Sequence, residues 1–207
     1  MKNNDRVKTA KEAARLLYYD FVEDYKSAKE IACINLGINV FPTNFEVALE
    51  LDKLSSAIEG ELKDKLLIDM RRAALQIMDE LAPCNTKLVG SVWRGTSRTG
   101  SDIDIVIYSD SQNAVIDLLK KKYPNLRIEY KSKTSQGTTK RYFHVYFRHS
   151  LDYEVELVVK GIEEMYKRSV CDIFADDIVG LTRNQLRKLI TSVPLKKHLP
   201  EYKKLRK

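Results

Sequence analysis

Glycine, proline, cysteine and histidine are all scarce in this 207-residue chain, at 8, 5, 3 and 3 residues. So little glycine and proline excludes a collagenous or low-complexity chain. Cys33, Cys84 and Cys171 are odd in number and far apart, which fits reduced thiols and neither a disulfide framework nor a zinc site. His144, His149 and His198 are too few for a His-rich metal cage. Long apolar runs are missing as well: no stretch approaches the roughly 18 residues a membrane helix needs. The opening MKNNDRVKTAKEAARLL lacks the apolar centre of a secretion signal. The expectation is a cytoplasmic protein with no membrane segment.

What is present is apolar residue enough for a core, 43%, and an uneven charge. Residues 1–80 carry 12 Lys/Arg and 15 Asp/Glu, whereas residues 81–207 carry 24 and 14. Nine of those cations fall in 183–207, beside a single acid, Glu201. Such asymmetry predicts a polyanionic partner, whether RNA, DNA or nucleotide phosphate, with a solvated basic tail as the alternative.

The first third reads as helix. Val7, Ala10, Ala14, Leu17, Tyr18, Phe21, Tyr25, Ala28 and Ala32 form one stripe on a long helix, stopped near Gly37. Thr43 or Asn44 caps a second helix, and Gly60 separates it from a third carrying Leu62, Leu66, Met70, Ala73, Ala74, Ile77 and Leu81. After Pro83 the period changes to two. Strands are predicted around Lys87–Val89, Ile103–Ile107, Leu126–Tyr130, Tyr142–Phe147 and Tyr153–Val159, with one crossover helix through Val115–Leu119 and a polar turn over Ser135–Thr139. Helix returns from about Ile162. The pattern implies an α+β chain with three regions: helical 1–82, a core of small mixed β-sheet at 83–160, and a helical segment with basic tail at 161–207. The N-terminal helices are surfaces for packing or for homo-oligomer formation.

Chemistry concentrates in Leu88–Tyr108, LVGSVWRGTSRTGSDIDIVIY. Gly90-Ser91 ends a strand and opens a short helix, where a glycine permits the tight turn and backbone N–H groups face outward for an anion. Asp102 and Asp104 alternate with Ile103 and Ile105, so both carboxylates share one strand face while the isoleucines bury the other. Two such acids repel unless a cation lies between them, and Mg²⁺ takes oxygen ligands at about 2.0–2.1 Å. A further acidic strand, Tyr153-Glu154-Val155-Glu156-Leu157, offers Glu156, with Glu154 as its rival, to complete a cluster able to hold two metals roughly 3.5–4 Å apart. Arg141–Arg148 mixes cations and aromatics as nucleic-acid surfaces do, although alternating aromatics also serve cores.

GSVWRGTSRTGSDIDIV resembles the signature of the polymerase-β-like nucleotidyltransferases, Gly-Ser followed by Asp-hydrophobic-Asp-hydrophobic. Its Gly-Ser, Arg-Gly-Thr and Ser-Asp-Ile-Asp elements look most like archaeal CCA-adding enzymes, and more distantly like oligoadenylate and cyclic-dinucleotide synthases. The resemblance implies a small mixed sheet packed by helices, two Mg²⁺ ions with Mn²⁺ as a substitute, and transfer of a nucleoside monophosphate from an NTP such as ATP to a hydroxyl. An RNA 3′ end is the acceptor favoured by the basic excess of residues 81–207. By the same resemblance Asp102, Asp104 and Glu156 are catalytic and ligate the metals, Gly90 and Ser91 bind phosphate, and Arg94 and Thr96 lie in the phosphate loop. A protein or nucleotide acceptor, or a non-catalytic RNA-binding module on the same fold, is the alternative.

Overall fold

The computed structural model describes residues 2–135 and 138–201. Two units divide the chain. One comprises the described parts of 1–63, 170–177 and 199–207; the other comprises 64–169 and 178–198. Among the described residues no helix is long and apolar enough to cross a membrane.

The first unit is helical. The stripe expected as one long helix is two, α1 (Lys2–Tyr18) and α2 (Tyr25–Leu36). Asp20 turns the chain at φ 54°, and Asp24 then caps α2, accepting from the Lys26 and Ser27 N–H groups at 2.9 Å each. The apolar period stays in phase across this break, so periodicity alone cannot see it; the capping carboxylate can. Gly37 ends α2 in the left-handed conformation, as expected. Thr43 opens α3 (Asn44–Glu59) with a capping box completed by Glu46. Ala10, Ala13, Ala14, Leu17, Ala28, Ala32 and Val47 fill the seam between these helices. Phe45 meets Phe174 edge-on at 5.6 Å in a smaller cluster. The ammonium of Lys63 is buried in this unit and fully used, bonded to the Asp52 carboxylate at 2.6 Å, the Asp52 carbonyl, and the Ser55 and Ser56 hydroxyls.

The second unit is a six-stranded mixed sheet covered on one side by helices. Its strands are β1 (Asn85–Val89), β2 (Ile103–Tyr108), β3 (Arg127–Ser135), β4 (Thr138–Arg148), β5 (Glu154–Lys160) and β6 (Leu181–Thr182), in spatial order β3-β4-β5-β2-β1-β6. Only β2 and β5 run parallel. Residues 136 and 137, part of the expected polar turn, lie outside the described residues. So does the end of the expected basic tail, 202–207. Helices α4 (Glu61–Glu80), α6 (Gln112–Lys120) and α7 (Arg183–Ser192) supply Met70, Ile77, Leu119 and Leu186 to the core, against Leu88, Ile103, Ile105, Ile107, Val145 and Leu157 from the strands. Each large side chain fully buried there contributes roughly 1.5–3 kcal/mol. Ser111 caps α6 and Thr182 caps α7. The helix expected from Ile162 is a single 3-10 turn, Ile162–Glu164, followed by irregular chain to Gly180. That stretch has no sustained apolar period to pay for a helix, and Ala175 sits at φ 54°.

A fully buried arginine ties this unit together. Arg71, on α4, donates to the carbonyls of Val92, Trp93, Pro194 and Lys196. Burial pulls its guanidinium down to about 10. It holds two backbone segments: α5 (Gly90–Arg94), which follows β1 directly, and the turn and irregular stretch after α7. Beside it His198 N–H donates to the Arg94 carbonyl at 2.9 Å, and the Arg94 guanidinium returns a bond to the His198 carbonyl at 3.0 Å.

Arg71→Met leaves these carbonyls without their donor, at roughly 1–3 kcal/mol for each buried one. At about 2–4 °C per kcal/mol for a chain of this size, differential scanning calorimetry should show melting lowered by about 10 °C or more. Arg72→Met, which removes only an exposed pair with Asp69 at 3.5 Å, should leave melting within about 2 °C of the parent.

Candidate active site

The site begins where β1 stops. Gly90 takes φ +69°, and a Cβ built on it would lie 1.8 Å from Asp104 Oδ2. Both facts require glycine: the conformation is one L side chains rarely adopt, and the carboxylate occupies the space a side chain needs. The β1–β2 register explains the approach, since Val89 stands opposite Asp104.

Strand alternation then sets the acids. Ile103, Ile105 and Ile107 are completely buried in the core, which turns Asp102 and Asp104 to the opposite face. The parallel pairing of β2 with β5 places Glu156 beside Asp104, with Val155 beside Ile103. One carboxylate oxygen from each of Asp102, Asp104 and Glu156 lies within 4.8 Å of the others. Of the two glutamates weighed from sequence, Glu156 joins the cluster. Glu154 shares the sheet face but is exposed and bound by Arg148, at 2.9 Å and 2.5 Å from Nε and Nη2.

Burial drives the Asp104 carboxyl well above its ordinary range, and the charges of Asp102 and Glu156 push it further. Burial also raises Asp102, with Glu156 and Glu154 adding to the shift. Glu156 goes the other way. Burial would raise it, but donors from Tyr146 and His144 and the charge of Lys131 hold it below the usual carboxylate range. The Tyr146 hydroxyl donates to Glu156 Oε1 at 2.5 Å, His144 Nδ1 lies 2.8 Å from the same oxygen, and Lys131 Nζ donates to it at 3.4 Å.

The phosphate-loop candidates are placed less uniformly. The Ser91 hydroxyl is buried and has no hydrogen-bond partner, and the same holds for Ser97. Thr96 N–H donates to the Ser91 carbonyl at 3.0 Å, closing the loop on α5. Arg94 is 3% exposed, and its guanidinium is engaged with the His198 carbonyl and packs 4.3 Å from the Trp93 ring centre. The donor set suits a hard divalent cation: three carboxylate oxygens at close range, two of them penalised for charge. A buried orphan hydroxyl at the adjacent turn suits an anion that supplies the missing acceptor.

Sequence reasoning underrated His144 and Tyr146. Alternation along β4 sends Phe143, Val145 and Phe147 into the core and Tyr142, His144 and Tyr146 to the acid face. The signal was available in that parity. What parity lacks is the β4–β5 register, which sets Tyr146 opposite Glu156.

A family model described as a nucleotidyltransferase domain matches residues 72–180, a span that contains every cluster carboxylate and the Gly90 turn. Among solved structures, the polymerase core of TRAMP, an RNA surveillance complex, is 19% identical over 57% of this chain and 37% of its own, with a TM-score of 0.32. The GLD-2/RNP-8 complex is 14% identical over 51% of this chain and 40% of its own, with a TM-score of 0.27. This chain therefore spans well under half the length of either. Curated proteins give no match.

The raised Asp104 carboxyl has a thermodynamic signature. The folded state binds that proton more tightly than the unfolded chain, so this group's contribution to stability is greatest below the ordinary carboxylate range. It declines as pH climbs from there through Asp104's raised value. Asp104→Asn cannot ionise and escapes the decline. In EDTA at neutral pH it should melt above the parent, and the gap should close as the pH is lowered; a variant that melts lower at neutral pH contradicts the assigned direction.

Proposed function

The chain belongs to the nucleotidyltransferase domain family, and on that premise we propose that it moves a nucleoside monophosphate from an NTP to a hydroxyl acceptor, foremost an RNA 3′ end, releasing pyrophosphate. The observation that carries this reading is the meeting of Asp102, Asp104 and Glu156 from two parallel strands beside a turn that only glycine can make.

In this reading Asp102, Asp104 and Glu156 hold divalent ions, Mg²⁺ or Mn²⁺. Ions held there would supply charge neutralisation for the triphosphate and the attacking oxygen. The chain's own groups do the positioning. The Gly90 turn lets the phosphates approach the backbone of α5, and the Ser91 hydroxyl donates to a phosphate oxygen. Thr96 borders the same loop, while Arg94 serves it from behind by fixing the backbone at His198. The acceptor oxygen forms a bond to the α-phosphorus as the α–β bridging P–O bond breaks, and its proton passes to solvent at the acid face. Such transfer needs alignment and charge neutralisation rather than a covalent enzyme intermediate, which accounts for a site without a paired nucleophile and base.

RNA is favoured by charge. The excess of 24 Lys/Arg over 14 Asp/Glu in residues 81–207 supports sequence-independent attraction to phosphates. The likeness of the Gly-Ser and Arg-Gly-Thr elements to archaeal CCA-adding enzymes points the same way.

Each of four labelled NTPs is incubated with Mg²⁺ or Mn²⁺ and with total RNA, with protein, or with no added acceptor. Label should enter RNA. Asp102→Asn and Asp104→Asn should lower the rate at least about a thousandfold, on the scale of the several kcal/mol a metal's charge supplies. Label entering protein or free nucleotide instead moves the acceptor to those classes. RNA binding without any transfer restores the non-catalytic module.

A further inference from the structure

The basic and aromatic run along β4 has two opposed uses. It can present ring faces to nucleobases, or it can be spent on the protein's own acids. Ring occupancy decides between them. Arg127 packs 4.5 Å and Lys131 5.0 Å from the centre of the Tyr146 ring. His144 stacks on the same ring at 6.3 Å and 16°. A base seeking Tyr146 finds the ring already taken by this chain's cations and imidazole. The polar ends of the row are used too: the Tyr142 hydroxyl donates to Glu164 at 3.1 Å, and both His144 and Tyr146 end on Glu156.

We propose that Tyr146, His144 and Lys131 are positioning residues that clamp Glu156 through its Oε1, so that Glu156 serves the acid cluster through Oε2 alone. All three contacts converge on Oε1, from Tyr146 at 2.5 Å, His144 at 2.8 Å and Lys131 at 3.4 Å. The carboxylate is fixed by a hydroxyl, an imidazole and an ammonium from two neighbouring strands. His144 and Glu156 are both sheltered, with side chains 12% and 20% exposed, so little water competes for the bonds. The donors neutralise the Glu156 carboxylate and hold it against the repulsion of Asp102 and Asp104. A ligand fixed in this way needs no ordering when a cation arrives.

The inference rests on the metal-binding reading of the cluster, and the experiment separates the two. Mn²⁺ is titrated into the full chain without nucleotide, with free Mn²⁺ followed by electron paramagnetic resonance, and folding is checked by circular dichroism. Asp104→Asn should abolish binding at the cluster; if it binds Mn²⁺ as the parent does, the metal reading itself fails. With that control in hand, Tyr146→Phe and His144→Leu should each weaken Mn²⁺ about 10–100-fold, the scale of losing an outer-shell partner. His144→Asn, whose amide can donate from the position of Nδ1, should recover affinity to within a few-fold of the parent. Parent-like Mn²⁺ affinity in both Tyr146→Phe and His144→Leu overturns the clamp, as does an Asn variant no better than Leu. Should Tyr146→Phe fail to fold, the Leu and Asn pair at His144 decides alone.

Discussion

Repulsion among three carboxylates within 4.8 Å is the constraint around which the sheet unit is arranged. Two like charges about 4 Å apart at an effective dielectric near 20 cost roughly 4 kcal/mol, a repulsion that adds to burial in raising the Asp104 carboxyl. The cost is met from the opposite side of the sheet. Ile103 and Ile105 flank the aspartates, and Val155 and Leu157 flank Glu156, all buried to within 1% of complete. Strand parity makes the two faces inseparable: an aspartate cannot swing away from its neighbour unless an isoleucine leaves the core. Hydrophobic burial is thus the force that compels like charges to share a face.

A second set of contacts keeps the phosphate turn against those charges. Gly90 is close enough to Asp104 that a methyl group would overlap its oxygen, so α5 must be held without slack. Its inner end is bound by Arg71, through the Val92 and Trp93 carbonyls, and by the paired exchange between Arg94 and His198. Gly95 fits the same account, since a Cβ there would stand 3.0 Å from the Lys196 carbonyl and 3.2 Å from Arg71 Nη2. The stretch after α7 is for this reason part of the site's foundation, although it carries no group of the cluster.

Much of this was legible from residues alone, and the exceptions have physical causes. Alternation identified β2 and its acid face because each isoleucine must be buried. The Gly90 turn was legible because a strand ending in Gly-Ser before a short helix limits the backbone to few conformations. The choice between Glu154 and Glu156 was less open to reading, because residues two apart share a face and parity treats them alike. The family resemblance favours Glu156, and the physical reason is the register with β2, which sets Glu156 beside Asp104. Arg71 was invisible for another reason. Sitting beside Arg72 in a helix with a strong apolar stripe, it looks like one more solvated cation, and two of its four carbonyl partners are brought from more than a hundred residues away. The break between α1 and α2 escaped notice because the apolar phase continues through it.

The β4 row shows why composition alone could not separate an RNA surface from an internal brace. Tyrosine, histidine, lysine and arginine are the residues that grip nucleic acid, since they offer donors and ring faces. A carboxylate held beside two others asks for the same donors, and cations beside those donors settle on the same rings. The deciding quantity is which partner is nearer, and that is fixed by strand register: Tyr146 stands opposite Glu156, and His144 opposite the next residue on that face, Val158. Slipping β4 by one residue would exchange these side chains for Phe143, Val145 and Phe147, sending aromatics to the acids and donors into the core. The burial of those three apolar residues therefore sets the electrostatics of Glu156, just as burial of the isoleucines sets those of the aspartates.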